Sequence, residues 1–537
     1  MPSRNPKSAM LTALPETTDG QASRHDRELW LWIALTLAVM SLPLLLAWLN
    51  QPAGALFTGF LSDRDQDAWS YIAKMHQGYD GSWFYHNLYS DEPHSGVAGV
   101  FFYYLTLGHL ARWTGMSLIA TYHLARLICT ALFLVGLDRF LALLWPERRD
   151  RRWALVLILF CGGFGWLSEV NAYWGDPRWW PGWLFPADLV WTGLTTFGSL
   201  LLYSHYPLAL WLILSCYRLA YEAETAQRWP WLATLAAATL AVHHPYDIVP
   251  VSLVLGIWHL WRALRHGWRS VARVALIGVG VAIPVAYYYW IFTYHPTFSR
   301  WAGQNVCLSP HPAVYLLAFG GAMLLALPGL RRLERDSLWP LLAIWVVANA
   351  FLLYAPVSWQ RLMMMGLPMV LMMWGARGLM SLAAKSPRHR RAMLVAGVAL
   401  LIPGPLSILL IGTTSRSYVP AAEAAAYRWL ARQPQDGRAI LGHVITGNRA
   451  VALTGHPAVL GHWSETPDYH RMLTETQRWY ETGSPDSRLG DPWLTRHHVG
   501  WIVYGPRERA WQPTPPLAAP PAYAVDGYTI WARQAQR

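Results

Sequence analysis

Three aspartates alternate along a short segment that follows the first long apolar run of the chain: Asp63, Asp65 and Asp67. Carboxylates this close repel one another unless a cation, a basic side chain or a shared proton compensates their charge. Such a group is suited to general-base chemistry, with Asp67 and Asp65 as the candidates, or to binding a divalent metal such as Mg²⁺ or Mn²⁺. The alternative is a solvated loop in which Asp67 caps the helix predicted for AWSYIAKMHQ.

Two further polar groups lie at the ends of apolar runs. His243, His244 and Asp247 fall in one short turn, where Pro245 ends the run. Ionisable groups at membrane depth are costly and often functional, so these histidines are candidates to bind phosphate or a metal, or simply to bond the backbone at the interface. Arg361 has no acidic neighbour in the sequence, which suits either a bidentate phosphate clamp or a side chain that snorkels to lipid headgroups.

The remaining polar candidates lie in loops. Glu92 and His94 precede an aromatic segment, and Asp176 lies in a loop rich in Trp and Pro. In the tail, residues 461–466 read GHWSET. Trp, His and Glu of this kind line sugar or headgroup sites, although loop packing explains them equally well.

Composition indicates what must position these residues. Hydrophobic residues make up 54% of the 537-residue chain and charged residues only 14%, against about 25% charged in soluble proteins. A polytopic membrane protein fits these values, whereas collagen, a disordered chain and a disulfide scaffold do not. The net charge of +12 is typical of basic cytoplasmic loops rather than of nucleic-acid binding. The cysteines show no CxxC spacing, so neither a disulfide nor a zinc site is expected.

Apolar runs of sufficient length predict eleven membrane-spanning helices, at 28–49, 119–145, 152–167, 194–220, 230–243, 248–262, 271–291, 311–330, 338–354, 361–383 and 392–412. A further run, 97–115, is interrupted by His109 and Arg112 and is predicted to lie in the membrane interface, as is a helix at 66–78. With the N-terminus inside, the Arg-rich loops all face the cytoplasm. The polar candidates then lie on the outer side.

This topology divides the chain into a cytoplasmic tail (1–27), a transmembrane domain (28–412) with a large first outer loop (50–118), and an outer C-terminal domain (413–537). In the last of these, helices are predicted at 421–433 and 467–481. Strands are predicted at 438–444, 450–455, 499–505 and 528–534. Strands that alternate with helices are typical of a small α/β domain.

The pattern as a whole resembles the integral-membrane GT-C glycosyltransferases, especially the bacterial branch akin to protein O-mannosyltransferases and aminoarabinose transferases. The resemblance rests on Asp67 with Tyr71 four residues later, on Glu92-Pro93 before the aromatic segment, on the Arg-rich loop after the second span, and on the outer α/β tail. The acidic motif of the family usually reads Asp-Glu and here reads Asp-Gln-Asp, so Asp65 and Asp67 both stay candidates for the base.

The resemblance implies a sugar donor carried on a polyprenyl phosphate and an outer hydroxyl acceptor on a lipid, a glycan or a protein. It also implies inverting chemistry in a bacterial cytoplasmic membrane. The implied substrate-binding residues are Tyr71, Glu92, His94, Asp176 (or Glu169 in its place), His243, His244, Asp247 and Arg361. His94 stands near the place where the family commonly has a Lys.

Rival functions are a transporter or flippase for a lipid or small solute, a polymerase or ligase of surface polysaccharide, and a non-catalytic scaffold with the same fold. A transporter would predict internal repeats, and none is evident. A polymerase would predict large later outer loops, whereas here the first loop is the largest. Only an activity assay separates the scaffold from the enzyme.

Overall fold

The computed structural model of the protein describes residues 19–61, 66–174, 180–330, 334–411, 418–482 and 490–533. Three predicted site residues, Asp63, Asp65 and Asp176, lie outside these ranges. The first described element is the long helix α1 (Asp19–Leu49), and a loop with several short elements follows it. The elements of this loop are β1 (Ala55–Phe57), α2 (Gln66–Tyr79), β2 (Phe84–Tyr85), β3 (Val97–Ala98) and α3 (Phe102–Thr114).

Helices make up the central part of the chain. They are α4 (Leu118–Leu144), α5 (Arg148–Phe160), α6 (Trp166–Trp174), α7 (Ala187–Val190), α8 (Thr196–Leu202), α9 (His205–Thr225), α10 (Trp231–His243), α11 (Ile248–His266), α12 (Arg269–Tyr294), α13 (Pro296–Gln304), α14 (Pro312–Ala326), α15 (Trp339–Leu352), α16 (Leu367–Ala384), α17 (Arg390–Leu401) and α18 (Pro403–Ile411). Arg361 lies in a short 3₁₀ turn, Gln360–Met364, before α16.

Seven helical segments of the described chain are long and apolar enough to cross a membrane: Arg27–Leu49, Leu118–Leu144, Ile248–His266, Arg269–Tyr294, Pro312–Gly329, Gln360–Ala384 and Pro387–Leu410. Each coincides with a predicted span. The other four predicted spans fall on α5, on α8 with α9, on α10 and on α15, and two of these, α10 and α15, are apolar but short. The total of eleven spans therefore stays a prediction.

The predicted span 194–220 is divided in the structure. Helix α8 ends at Leu202 and α9 begins at His205. Pro207 explains the break, because a proline ring clashes with the carbonyl four residues earlier, here that of Tyr203, and is tolerated only in the first turn of a helix. The break places Tyr203 in an extended backbone conformation between the two helices.

Side chains of α4 hold the end of α8 in place. The buried guanidinium of Arg126 donates to the carbonyls of Leu200 (3.3 Å) and Leu201 (3.2 Å), and the Tyr122 hydroxyl donates to the carbonyl of Leu202 (3.1 Å). The last carbonyls of a helix have no partner within it and need one when buried. These bonds therefore fix the position of the break.

Helix α2, which carries Asp67, lies in direct backbone contact with α3. A Cβ at Gly78 would lie 2.1 Å from the carbonyl oxygen of Leu105, and one at Gly108 would lie 2.0 Å from that of Met75. Only glycine permits this approach, so the two helices are locked together. At 13 residues, α3 is about 20 Å long, too short to cross a hydrocarbon core of about 30 Å. The interfacial position predicted for it stays a prediction.

The C-terminal part combines strands and helices: β4 (Tyr418–Pro420), α19 (Ala421–Leu430), β5 (Ala439–Leu441), α20 (Val444–Thr454), α21 (Tyr469–Glu481), α22 (Pro492–Arg496), β6 (Val499–Tyr504), α23 (Pro506–Trp511), β7 (Tyr523–Val525) and β8 (Tyr528–Ala532). The sheet order is β5-β6-β8-β7, with β5 and β6 parallel and the other pairs antiparallel. Strand β4 pairs with β1 of the loop that follows α1. This pairing joins that loop to the C-terminal part of the chain.

The strand predicted at 450–455 is wrong, because these residues belong to α20 and its C-cap. The His443 side chain accepts a hydrogen bond from the backbone of Ile445 at the start of this helix, and Gly455 ends it in the left-handed conformation. A glycine directly after an apolar run is a common helix stop. Gly455 therefore favours a buried helix over a strand here, whereas the apolar character of residues 450–455 fits both.

We expect the C-terminus to lie on the side of the membrane opposite to the loop between α11 and α12. An alkaline phosphatase fused after residue 537 should be active in cells, and a green fluorescent protein there should be dark. The same two reporters fused after Gly267, in the Arg-rich loop, should give the reverse result, because basic loops stay in the cytoplasm. A fluorescent fusion after residue 537 would contradict the orientation.

Candidate active site

Asp67 lies in the first turn of α2, where a negative charge is favoured by the helix dipole. The Nε2 atom of His462 lies 2.8 Å from its Oδ1 atom, and the Tyr203 hydroxyl donates to its Oδ2 atom at 3.4 Å. The Nδ1 atom of His462 accepts from the backbone N–H of Ser464 at 3.2 Å. This assigns the proton to Nε2, so His462 donates to Asp67.

The carboxylate is accessible although protein surrounds it. The Asp67 side chain is 46% exposed, whereas the His462 side chain is 2% exposed. Burial among the surrounding protein atoms raises the pKa of Asp67, but hydrogen bonds from His462 and Tyr203 and the positive charge of Lys74 hold the pKa below its ordinary value. Asp67 is therefore ionised at neutral pH, as a general base must be before it reacts.

Lys74 and Glu465 form a buried ion pair near Asp67. The Nζ atom of Lys74 lies 2.8 Å from Oε1 of Glu465, to which Ser70 also donates, at 2.5 Å. The Tyr85 hydroxyl donates to Oε2 of Glu465 at 3.0 Å, and the Lys74 ammonium lies 4.1 Å from the centre of the Phe101 ring. Burial raises the pKa of Glu465, but the charges of Lys74 and His462 and the hydrogen bonds from Lys74 and Ser70 hold the pKa below its ordinary value.

The segment 461–466, here called the His462 loop, is held by several elements. Gln304 donates to the carbonyls of Ser464 (2.8 Å) and Thr466 (2.6 Å), and Asn87 donates to the carbonyl of Glu465 (2.7 Å). These donors come from α13 and from the first outer loop. The C-terminal domain thus supplies two site residues, on a loop that the rest of the protein keeps in place.

Tyr71 belongs to an aromatic cluster next to Asp67. Its ring stacks on that of Tyr104 at 4.5 Å and meets the rings of His205 and Tyr203 at 4.9 and 5.5 Å. The Tyr104 hydroxyl lies 2.5 Å from Nδ1 of His205. Tyr71 therefore lies one helical turn from Asp67 and shares Tyr203 with it, so the structure brings these two predicted residues together.

The histidine turn after α10 joins this cluster through His205. The His244 ring stacks on that of His205 at 5.6 Å, and its Nδ1 atom lies 2.9 Å from Oδ2 of the buried Asp247. The Nε2 atom of His243 bonds the carbonyl of His205 at 2.9 Å. His243 thus has the backbone role considered as an alternative, while Tyr71, His205, His244 and Asp247 form a continuous row.

Arg361 lies beside the buried residue Cys307. Its guanidinium stacks 4.0 Å from the centre of the Trp191 ring, and its backbone N–H donates to the carbonyl of Cys307 at 3.1 Å. Burial raises the pKa of Cys307, the Arg361 charge opposes this, and the Asp67 charge adds to it. Both charged groups therefore lie within electrostatic reach of one thiol. Arg361 makes no ion pair with a carboxylate in the described part of the chain.

Glu92 and His94 have partners outside this set. Glu92 forms an exposed ion pair with Arg300. His94 uses both ring nitrogens within its own loop, since Nδ1 bonds the carbonyl of Glu92 at 2.8 Å and Nε2 accepts from the N–H of Asn87 at 2.9 Å. These contacts order the loop that carries Asn87.

No group of three or more His, Cys, Asp or Glu side chains positioned to hold a metal occurs within the described ranges. The metal prediction therefore depends on Asp63 and Asp65, which lie outside those ranges. Transfer activity before and after EDTA treatment, with Mg²⁺ or Mn²⁺ added back, is the measurement that tests it.

Several residues of this site were not among the predicted site residues, including Lys74, Tyr203, His462 and Glu465. One signal for Lys74 was present, since residues 67, 71 and 74 share one face of a helix. In the sequence, the tail segment with His462 and Glu465 is recognisable only as polar and aromatic. Pro207 signals that a helix ends near Tyr203, but nothing in the sequence indicates that Tyr203 lies beside Asp67.

Comparison with known proteins gives no match by sequence, either to a family model or to a curated protein. Solved structures do match. ArnT from Cupriavidus metallidurans bound to undecaprenyl phosphate superposes with a TM-score of 0.53 and 12% identity, over 94% of this chain and 98% of ArnT. A mutant form of the arabinofuranosyltransferase AftD from Mycobacteria superposes with a TM-score of 0.55 and 14% identity, over 95% of this chain.

The match to AftD covers only 42% of that protein, so this chain spans less than half of its length. ArnT in its apo state gives a TM-score of 0.51 with the same coverage as the bound form. Together with the seven apolar helices, these matches identify a multi-pass membrane protein. The chain has the fold of the integral-membrane GT-C glycosyltransferases, which confirms the resemblance noted in its sequence.

Proposed function

We propose that the protein is a membrane glycosyltransferase that moves a sugar from a polyprenyl-phosphate donor to an outer hydroxyl acceptor, with Asp67 as general base. One observation carries the proposal. The carboxylate of Asp67 is accessible and accepts from His462 and Tyr203, and the guanidinium of Arg361 stacks on Trp191 with no carboxylate partner among the described residues. A bacterial cytoplasmic membrane is the proposed location, with the site on its outer side.

The chemistry requires a base and a phosphate-binding cation on opposite sides of one carbon. The acceptor hydroxyl gives its proton to Asp67 as its oxygen bonds the anomeric carbon, and the bond from that carbon to the phosphate oxygen breaks with its electron pair. Arg361 binds the phosphate that leaves, and the configuration of the sugar inverts. Asp67 then releases its proton to water. The hydroxyl becomes acidic as the new bond forms, so a base of low pKa is sufficient.

The neighbouring structure supports the donor class, since ArnT was solved with undecaprenyl phosphate bound. We propose that Tyr71, His244 and Asp247 line the donor side of the site. They belong to the row of side chains that starts beside Asp67. His243 supports this row through its bond to the carbonyl of His205. Asp65 is the second candidate base. Glu92, His94 and Asp176 stay proposed substrate contacts on the strength of the resemblance alone.

We expect Arg361→Ala to weaken binding of undecaprenyl phosphate about 10- to 100-fold, because a charge-assisted hydrogen bond contributes about 1.5–3 kcal/mol. Arg361→Lys should lose less affinity for undecaprenyl phosphate, since lysine keeps the positive charge but not the bidentate geometry. The Kd is measured by titration of the purified protein in nanodiscs. Arg438→Ala is the matched control, because Arg438 also stacks on a tryptophan ring, that of Trp501, but is paired with Asp436. An unchanged Kd for Arg361→Ala would remove Arg361 from the site.

Product formation is the direct test of the function. The purified protein is incubated with a panel of polyprenyl-phosphate sugars and outer-envelope extracts, and glycosylated products are detected by mass spectrometry. The proposal expects products that the Asp67→Asn protein does not form. Lipid translocation in liposomes without any product would favour a flippase, and lipid binding without either activity would favour a scaffold.

A further inference from the structure

Trp463 is the most exposed large apolar side chain among the described residues of the C-terminal domain, with 39% of its surface exposed. The other large apolar side chains there are more deeply covered. Exposure of a single tryptophan is not unusual. Its position is informative, because it directly follows His462, the residue that donates to Asp67.

The backbone of Trp463 is held beside the proposed base. The backbone N–H of Trp463 donates to Oε1 of Gln66 at 3.1 Å, and the carbonyl of Gln66 accepts from Asn448 at 3.1 Å. Gln66 is the residue before Asp67. The rings of Trp463 and His462 lie 6.1 Å apart at an angle of only 27°. Trp463 is therefore an exposed aromatic surface on a loop fixed from several sides.

A fixed, exposed aromatic ring suits a particular kind of ligand. The face of an aromatic ring is electron-rich. One face of a sugar ring presents several C–H groups that carry partial positive charge, and these lie flat against such a surface. A serine or threonine side chain offers no comparable flat face. The ring therefore favours a sugar over a peptide.

The position of Trp463 also separates the acceptor from the donor. Trp463 is bonded to the residue next to Asp67, which takes the acceptor proton, whereas Arg361 on the donor side contacts Trp191 and Cys307. We infer that the acceptor is a glycan, and that the sugar ring carrying the reactive hydroxyl stacks on Trp463. This inference rests on the proposed function, which supplies the role of Asp67.

The first test measures transfer to sugars. Acceptor probes are the methyl glycosides and disaccharides of arabinose, mannose, glucose, galactose and N-acetylglucosamine, alongside a peptide rich in serine and threonine. We expect Trp463→Ala to raise the KM for the sugar acceptor about tenfold and to leave the donor KM unchanged, with most of the loss restored in Trp463→Phe. Trp113→Ala is the matched control, because Trp113 is 67% exposed on α3.

A second test does not depend on turnover. Saturation-transfer NMR with the same sugars is recorded on the Asp67→Asn protein, with and without Trp463→Ala. Sugar signals that vanish only in the protein lacking Trp463 support the inference, even if the wild type proves inactive and the proposed function fails. Transfer to the peptide without sugar binding, or a rise in the donor KM instead of the acceptor KM, would overturn the inference and leave the proposed function standing.

Discussion

The Asp67→Asn protein is expected to lose sugar transfer by about 10²–10⁴-fold, the usual contribution of a general base. Asparagine has the same shape as aspartate, and its carbonyl oxygen still accepts from His462. It cannot take the acceptor proton. Binding of undecaprenyl phosphate and the unfolding temperature should stay close to those of the wild type, because Asn keeps the shape of Asp and loses only the interaction of a first-turn charge with the helix dipole, about 0.3–1 kcal/mol.

Asp80→Asn is the matched control for this prediction. Asp80 follows the other end of α2, and its side chain is 55% exposed beside His76. The same chemical change there should leave transfer unchanged. If Asp67→Asn retains full activity, Asp67 is not the base. Asp65→Asn, measured in parallel, then decides whether the second candidate takes that role.

The second large effect concerns the buried ion pair of Lys74 and Glu465. Lys74→Met leaves the Glu465 carboxylate buried without a counter-charge, which costs about 3–5 kcal/mol. Glu465→Gln likewise leaves the Lys74 ammonium buried without a counter-charge. The double variant removes both charges, so it should be more stable than the sum of the two single losses predicts. Thermal unfolding of the four proteins in nanodiscs measures this coupling.

The same pair predicts a pH dependence of stability. The pKa of Glu465 is held below its ordinary value, so its stabilising contribution is complete above that ordinary value and is lost as the pH falls through the lowered pKa. The unfolding temperature of the wild type should therefore fall more steeply in acid than that of the double variant. Parallel curves for the two proteins, or additive losses in the single variants, would show that the pair is not coupled.

Local patterns in the sequence predicted much of the fold. The helix predicted at 66–78 is α2, and the predicted tail helix at 467–481 is α21. Such elements are visible because their apolar spacing and end signals lie within a few residues. The break before His205 was missed although Pro207 signalled it, because the surrounding apolar run looked long enough for one span.

The site was less predictable than the fold. Asp67 and Tyr71 lie on one helix, so their proximity follows from helical spacing. The partner of Asp67 lies 395 residues away, and the partner of Lys74 lies 391 residues away. No periodicity connects positions so distant, and a buried lysine becomes plausible only when its carboxylate partner is known. Strands β1 and β4 are also far apart in the sequence, so no local pattern predicts that they pair.

The 395-residue separation between Asp67 and His462 also sets an order of events in biosynthesis. Asp67 leaves the ribosome early, just after the first helix, while the His462 loop is made near the end. Until that loop crosses the membrane, Asp67 lacks its histidine partner and Lys74 lacks Glu465. A chain truncated before residue 461 should therefore insert its helices but remain sensitive to protease in the first outer loop. With the predicted topology, maturation of this protein would depend on export of its last quarter.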